Sequence, residues 1–187
     1  MKALVIYESM FGNTRAIAEA VRDGLATHAT VDLANVNQLD MEDAGHADLM
    51  VVGGPTHVHG MTRARTREEA VTWTTDPSKH LTLEPDAPGR GIRDWSDDPM
   101  TVVAPMFAAF ATRADVPILL SGNAAAQIDR ALRHRGSRRV AESENFLVTK
   151  ENRLQDDELD RARAWGESLA VQASRLLTTV DRGADEG

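Results

Sequence analysis

The sequence predicts a three-layer α/β sandwich: a doubly wound sheet of five parallel strands in the order 2-1-3-4-5, with helices on both faces. Three observations carry this. Short continuous apolar runs recur at Ala3–Tyr7, Ala47–Gly54 and Met106–Thr112, as in strands covered on both sides. Stretches with helical spacing of apolar residues separate them, so the strands must be joined by crossovers and lie parallel. Glycine-containing turns close the first two of these runs, strands 1 and 3, where such a fold places its ligand.

Ala3–Tyr7 leads into the polar turn Glu8–Asn13, and Ile17, Val21 and Leu25 then fall on one helical face. Thr30–Leu33 is expected as the second strand and Asp40–Ala44 as a short helix. Leu49, Met50, Val51 and Val52 make the centre of the third strand, punctuated by Gly53-Gly54-Pro55. Glu68 and Glu69 support a helix over Arg63–Thr74, and Asp76–Gly89, rich in Pro, Gly and Asp, reads as loop. Gly91–Trp95 is expected as a short helix and Met106–Thr112 as the fourth strand, with Val102–Val103 as an alternative start. Ser121 is placed as the N-cap of a helix over Ser121–Arg135, which carries Ala125, Ile128 and Leu132 on one face. Arg139–Val148 is the fifth strand. Leu159, Ala162, Leu169, Ala173 and Leu176 mark a last helix over Asp156–Leu177. Residues 1–180 make one domain, and the acidic segment Asp181–Gly187 is expected to be a disordered tail.

With 187 residues and 42% hydrophobic content, the chain can bury one sizeable core. A net charge of -8 argues against a nucleic-acid partner, which needs clustered Lys and Arg. The absence of cysteine excludes disulfides and Cys-based metal or iron–sulfur sites, so any redox role requires a bound cofactor. Met1-Lys2-Ala3 runs directly into the first strand without the pattern of a signal peptide, and no apolar run has the length of a membrane span. The expected location is the cytoplasm, without membrane insertion. Oligomeric state is left open.

The turn after the first strand, Ser9-Met10-Phe11-Gly12-Asn13-Thr14, opens a helix. Its hydroxyls, the Asn13 amide and successive backbone N–H groups suit an anion. Gly12 permits a tight turn, and the helix N-terminus adds positive partial charge. The loop lacks the Gly-Lys-Ser/Thr ending of a P-loop and the three spaced glycines of a dinucleotide fingerprint. The alternative is an ordinary strand-to-helix turn capped by Ser9 or Asn13.

The run Leu4–Thr14 resembles the phosphate loop of flavodoxins, with its Ser/Thr-x-x-Gly-x-Thr pattern. Gly54-Pro55-Thr56-His57-Val58-His59-Gly60-Met61 is similar to the second flavin loop of that family, and Thr112–Asp115 matches a third by position. The resemblance implies FMN as cofactor. Ser9, Gly12, Asn13 and Thr14 would hold its 5′-phosphate, with Met10 and Phe11 between them as further cofactor-binding residues of the loop. Pro55, Thr56, His57, Val58, His59 and Gly60 would line the isoalloxazine, with Thr112 and Arg113 on its other side. A flipped Gly60 peptide would offer its carbonyl to flavin N5. Flavodoxins usually sandwich the ring between aromatic side chains, whereas here aromatics are 4% of the chain and the one tyrosine, Tyr7, lies in the first strand. His57 is the nearest stacking candidate after the third strand.

Other candidates compete with structural readings. His57 and His59 would share a strand face, but no Cys or well-placed acid completes a metal site. Arg63, Arg65 and Arg67 offer charge to a pyridine-nucleotide phosphate, or form an ordinary helix face with Glu68 and Glu69. The basic cluster Arg133–Arg139 complements a helix C-terminus. Trp73, Trp95 and Trp165 pack helices on the sheet, with Trp73 or Trp95 as an alternative cover for the flavin. The leading expectation is FMN-based electron transfer to a redox partner protein or a small-molecule acceptor. An FMN-dependent NAD(P)H:quinone-type oxidoreductase and a flavin-free interaction module are the alternatives.

Overall fold

The structure is a computed structural model that describes residues 1–39 and 44–184. The helix expected at Asp40–Ala44 falls mainly on residues 40–43 and so lies outside the described residues. In chain order the elements are β1 (Lys2–Tyr7), α1 (Asn13–Leu25), β2 (Thr30–Asn35), β3 (Leu49–His57), β4 (Gly60–Met61), α2 (Ala64–Trp73) and α3 (Ile92–Asp97). There follow β5 (Met106–Ala114), α4 (Ile118–Ser121), α5 (Ala124–His134), β6 (Arg138–Arg139), β7 (Glu144–Val148) and α6 (Glu158–Ala184).

The sheet runs β2-β1-β3-β5-β6, all parallel, with β7 also parallel to β5. Taking β6 and β7 as two halves of one strand gives the predicted 2-1-3-4-5 winding. Side chains alternate between the two faces of each strand. Leu4, Ile6, Met50, Val52 and Phe107 therefore meet α3 and α5 through Ile92, Trp95, Ile128 and Leu132. Ala3, Val5, Leu49, Val51 and Phe110 meet α1 and α6 through Ile17, Val21, Leu169 and Ala173. Both faces are covered, which is why the strands read as unbroken apolar runs.

Three boundaries differ from expectation for physical reasons. Ser121 is not the cap of α5: it ends the separate helix α4, and Gly122, with φ +83°, breaks the two apart. The cap is Asn123, whose Oδ1 accepts the Ala126 N–H at 3.0 Å. The fifth strand is interrupted: β5 advances three residues from Phe107 to Phe110 while its neighbour advances five from Arg139 to Glu144. Val102 and Val103 lie outside β5 in irregular chain. α6 continues through Asp181–Ala184, and residues 185–187 lie outside the described residues. Among the described residues no helix is long and apolar enough to cross a membrane.

Candidate functional site

β1, β3 and β5 end side by side, and the reversal of winding between β1 and β3 leaves a crevice at their C-terminal ends. The loop after β1 enters it through Gly12, whose φ of +91° is a left-handed conformation that favours glycine. Ser9 Oγ accepts the Gly12 N–H at 3.1 Å, and the Gly12 carbonyl accepts the Ala16 N–H at 2.9 Å. The turn thereby delivers the N–H groups of Asn13, Thr14 and Arg15 at the positive end of α1. Thr14 Oγ1 and Thr112 Oγ1 lie 2.7 Å apart and buried, tying the loop to β5. Asn13 Nδ2 donates to the Asn152 carbonyl at 3.0 Å and to Asn152 Oδ1 at 3.1 Å, which fixes the turn after β7 against the loop. One carboxylate opposes an anion here: Glu84 Oε1 would lie 3.4 Å from a Cβ on Gly12. Arg15 pairs with it, Nε to Oε2 at 3.1 Å, which offsets its charge.

Beside the loop opens a hollow of about 1120 Å³. Met10, Phe11, Asn13 and Thr14 form one side; Pro55, Thr56, His57 and Val58 a second; Thr112 and Arg113 a third. Two segments complete it: Ser78–Thr82, from the long excursion between α2 and α3, and Val148–Arg153, after β7. Ser9, Gly12, His59 and Gly60 do not line it. Ser9 is buried under the turn, His59 is exposed at the tip of the β3–β4 hairpin, and Gly60 is buried in β4. His57 and His59 thus part company, and among the described residues no group of His, Cys, Asp or Glu could hold a metal ion.

The three tryptophans separate cleanly. Trp95 is fully buried in the core, and Trp165 packs edge-on against Phe110 and Phe146. Trp73, at the end of α2, lines the hollow with its ring 5.4 Å from His57 and stacked 6.2 Å from Phe11. Lys79 Nζ sits 5.6 Å from the centre of the same indole. Burial pushes the His57 pKa below the usual histidine value, against smaller opposing effects of a Thr66 backbone hydrogen bond and Glu69, which favours the neutral ring. An aromatic wall therefore exists, with Trp73 of α2 set against Phe11 of the β1 loop and His57 at the end of β3.

Arg113 borders the hollow with its guanidinium already engaged: Nη1 donates to the carbonyls of Ala114 at 3.0 Å and Val116 at 2.7 Å. Arg67, from the basic stretch after the second loop, is buried and pairs with Asp94 at 2.5 Å, while Arg63 and Arg65 are exposed and outside the hollow. Arg133 pairs with Asp129 at 2.6 Å, and Arg135 donates to backbone carbonyls of Ser96, Asp98 and Thr101, so that cluster is structural.

Sequence reasoning missed the buried polar cluster behind the site. Glu8, one residue past β1, accepts the Thr62 hydroxyl at 2.5 Å and the Ile92 N–H at 2.8 Å. Burial raises its pKa above the usual carboxylate range; the hydrogen bonds from Thr62 and Ile92 and the Arg67 charge oppose that shift without cancelling it. An acid directly after a fully apolar strand was the available signal. Lys79, His80 and Lys150–Arg153 were also missed, because loop sequence alone does not say which cavity a loop borders.

No match was found among curated proteins. Among solved structures, oxidised flavodoxin 2 from Bacillus cereus matches with a TM-score of 0.60 and 18% identity, over 94% of this chain and 99% of that one. A flavodoxin, WrbA-like protein from Agrobacterium tumefaciens matches at TM-score 0.54 and 18% identity, over 93% and 98%. Rubredoxin oxygen:oxidoreductase from Desulfovibrio gigas gives 0.61 and 15%, over 94% of this chain and 37% of that larger one. At these identities the likeness is one of fold. The family model for flavodoxin matches residues 5–113, more than half of the chain, so the chain belongs to the flavodoxin family.

Proposed function

We propose that this protein binds FMN in the hollow at the ends of β1, β3 and β5 and works as a cytoplasmic electron-transfer flavoprotein. The carrying observation is the Gly12 turn, which delivers the α1 N-terminus beside a hollow walled by Trp73 and His57. The residues present fit the group. Backbone N–H groups from Asn13 to Arg15 would hold the 5′-phosphate by hydrogen bonds and helix dipole, without a cation in the loop. Ser9 and Thr14 hold that turn in shape through their bonds to Gly12 and Thr112. Trp73, His57 and Met10 would flank the ring, with Thr56, Val58, Thr112 and Arg113 at its edges. When bound, FMN supplies the redox chemistry, and the protein orients it and limits water access.

The partner is a redox protein or a small-molecule acceptor. A second reading, an FMN-dependent NAD(P)H:quinone-type oxidoreductase, is favoured by the breadth of the hollow. Its excursion and β7-turn walls extend beyond the loops that would contact FMN. The test is to reconstitute with FMN, desalt, and follow NADPH and NADH consumption with and without a quinone. Retained flavin with negligible consumption supports the carrier. Quinone-dependent consumption supports the oxidoreductase. No retained flavin defeats both.

A further inference from the structure

We infer that Gln127, on α5 and outside the hollow, is a positioning residue that holds the β3–β4 hairpin, and with it the His57–Val58 wall, in place for the flavin ring. The inference rests on the FMN reading above. β3 and β4 pair antiparallel through Thr56–Met61 and His57–Gly60, leaving Val58 and His59 as a two-residue turn. Both have positive φ, +45° and +70°, as a type I′ turn requires. Asn-Gly is the usual occupant of that turn, and a β-branched valine there is unfavourable. Such a backbone persists only where its surroundings over-determine it.

The surroundings do so from behind. Gln127 Oε1 accepts the Met61 N–H at 3.0 Å and the Arg93 Nη2–H at 3.0 Å. Arg93 in turn donates to the carbonyls of Met61 and Thr62, each at 3.1 Å. Gln127 Nε2 reaches the His59 carbonyl at 3.5 Å, and His59 bridges to Gly122. Gly60 fits this brace closely: a Cβ there would lie 2.3 Å from Gln127 Nε2. The hairpin amide is therefore held by a side chain that touches no part of the hollow. A peptide reorientation at Gly60 would have to break this clamp, so the ring-side wall is fixed rather than free to move.

The test compares wild type, Gln127→Ala and Gln127→Glu, which keeps an oxygen for Met61 and Arg93. FMN and riboflavin affinities are measured by fluorescence quenching, and amide hydrogen exchange is followed over residues 57–62. Gln127→Ala should weaken both ligands by the same factor, about five- to tenfold, because the ring and not the phosphate loses its wall. Exchange at Met61 should accelerate at least about tenfold, and Gln127→Glu should restore both. Unchanged riboflavin affinity, or a loss confined to FMN, overturns the inference. If wild type binds neither ligand, the FMN reading fails; exchange at Met61 in the flavin-free protein then still decides whether the brace exists. Should Gln127→Ala not fold, Arg93→Lys tests the same clamp from its other member.

Discussion

Replacing Gly12 with alanine puts a Cβ on a residue whose φ is +91°. For an L-residue the left-handed conformation costs about 1–2 kcal/mol. Steric conflict adds little, since the nearest atom, Glu84 Oε1, would lie 3.4 Å away. A domain of 187 residues loses about 2–4 °C of melting temperature per kcal/mol, so the flavin-free variant should melt about 2–8 °C lower. Binding should suffer more. The loop can relieve the strain only by turning Gly12 to negative φ, which breaks its 3.1 Å bond to Ser9 and rotates the N–H groups ahead of α1. Each hydrogen bond from them to a charged phosphate contributes about 1.5–3 kcal/mol, so losing one weakens FMN about 10- to 100-fold. Riboflavin, lacking the phosphate, should change less than about twofold by the same account. Thermal melts by circular dichroism and parallel quenching titrations with the two ligands give the answer. An equal loss for FMN and riboflavin would refute the assignment of the phosphate to this loop.

The remaining predictions address separate parts of the site. Trp73→Ala should weaken FMN and riboflavin alike, about 2- to 10-fold, as expected for a lost aromatic contact; flavin-induced quenching of protein fluorescence should also shrink. Gly60→Ala should cost about 1–3 kcal/mol of stability, because the new methyl displaces Gln127 and strips its hydrogen bonds. In the background of Gln127→Ala the same substitution should cost measurably less, a coupling of at least about 0.5 kcal/mol by denaturant melts. Glu8 has a folded-state pKa raised by burial, so its contribution is present below the ordinary carboxylate range and lost as pH rises through the raised value. Melting temperatures of Glu8→Gln and wild type, compared across pH 4–8, should therefore diverge in the variant's favour toward high pH; parallel curves would contradict this.

The legible parts of the fold were those with burial on both sides. β1, β3 and β5 lie inside the sheet, so their buried stretches Ala3–Ile6, Leu49–Val52 and Met106–Ala111 are apolar and read as continuous runs. β6 and β7 form the sheet edge, where Arg138 and Arg139 are exposed and the ladder breaks, and no apolar pattern records that break. α5 is readable from Ala125, Ile128 and Leu132, but its start depends on the φ of Gly122, which competes with Ser121 as a cap. At the site, the turn after β1 was legible because its geometry is local: Ser9 Oγ accepts the Gly12 N–H and Gly12 supplies the left-handed φ, whereas the bond of Thr14 to Thr112 forms only in the folded chain. Trp73 meets His57, and Glu8, Thr62, Arg67 and Asp94 meet one another, only in the folded chain. Gln127 sits at an ordinary polar position of a helix, and its contact with Gly60 spans too much sequence to be read from spacing.

The most direct test of the account is flavin retention. Purified protein is mixed with excess FMN, desalted, and its visible absorption recorded beside the Gly12→Ala variant. The account predicts about one equivalent of bound flavin in wild type and a marked loss in the variant. Complete elution of the flavin in the free fraction would contradict it and leave the flavodoxin fold of this chain serving a different ligand.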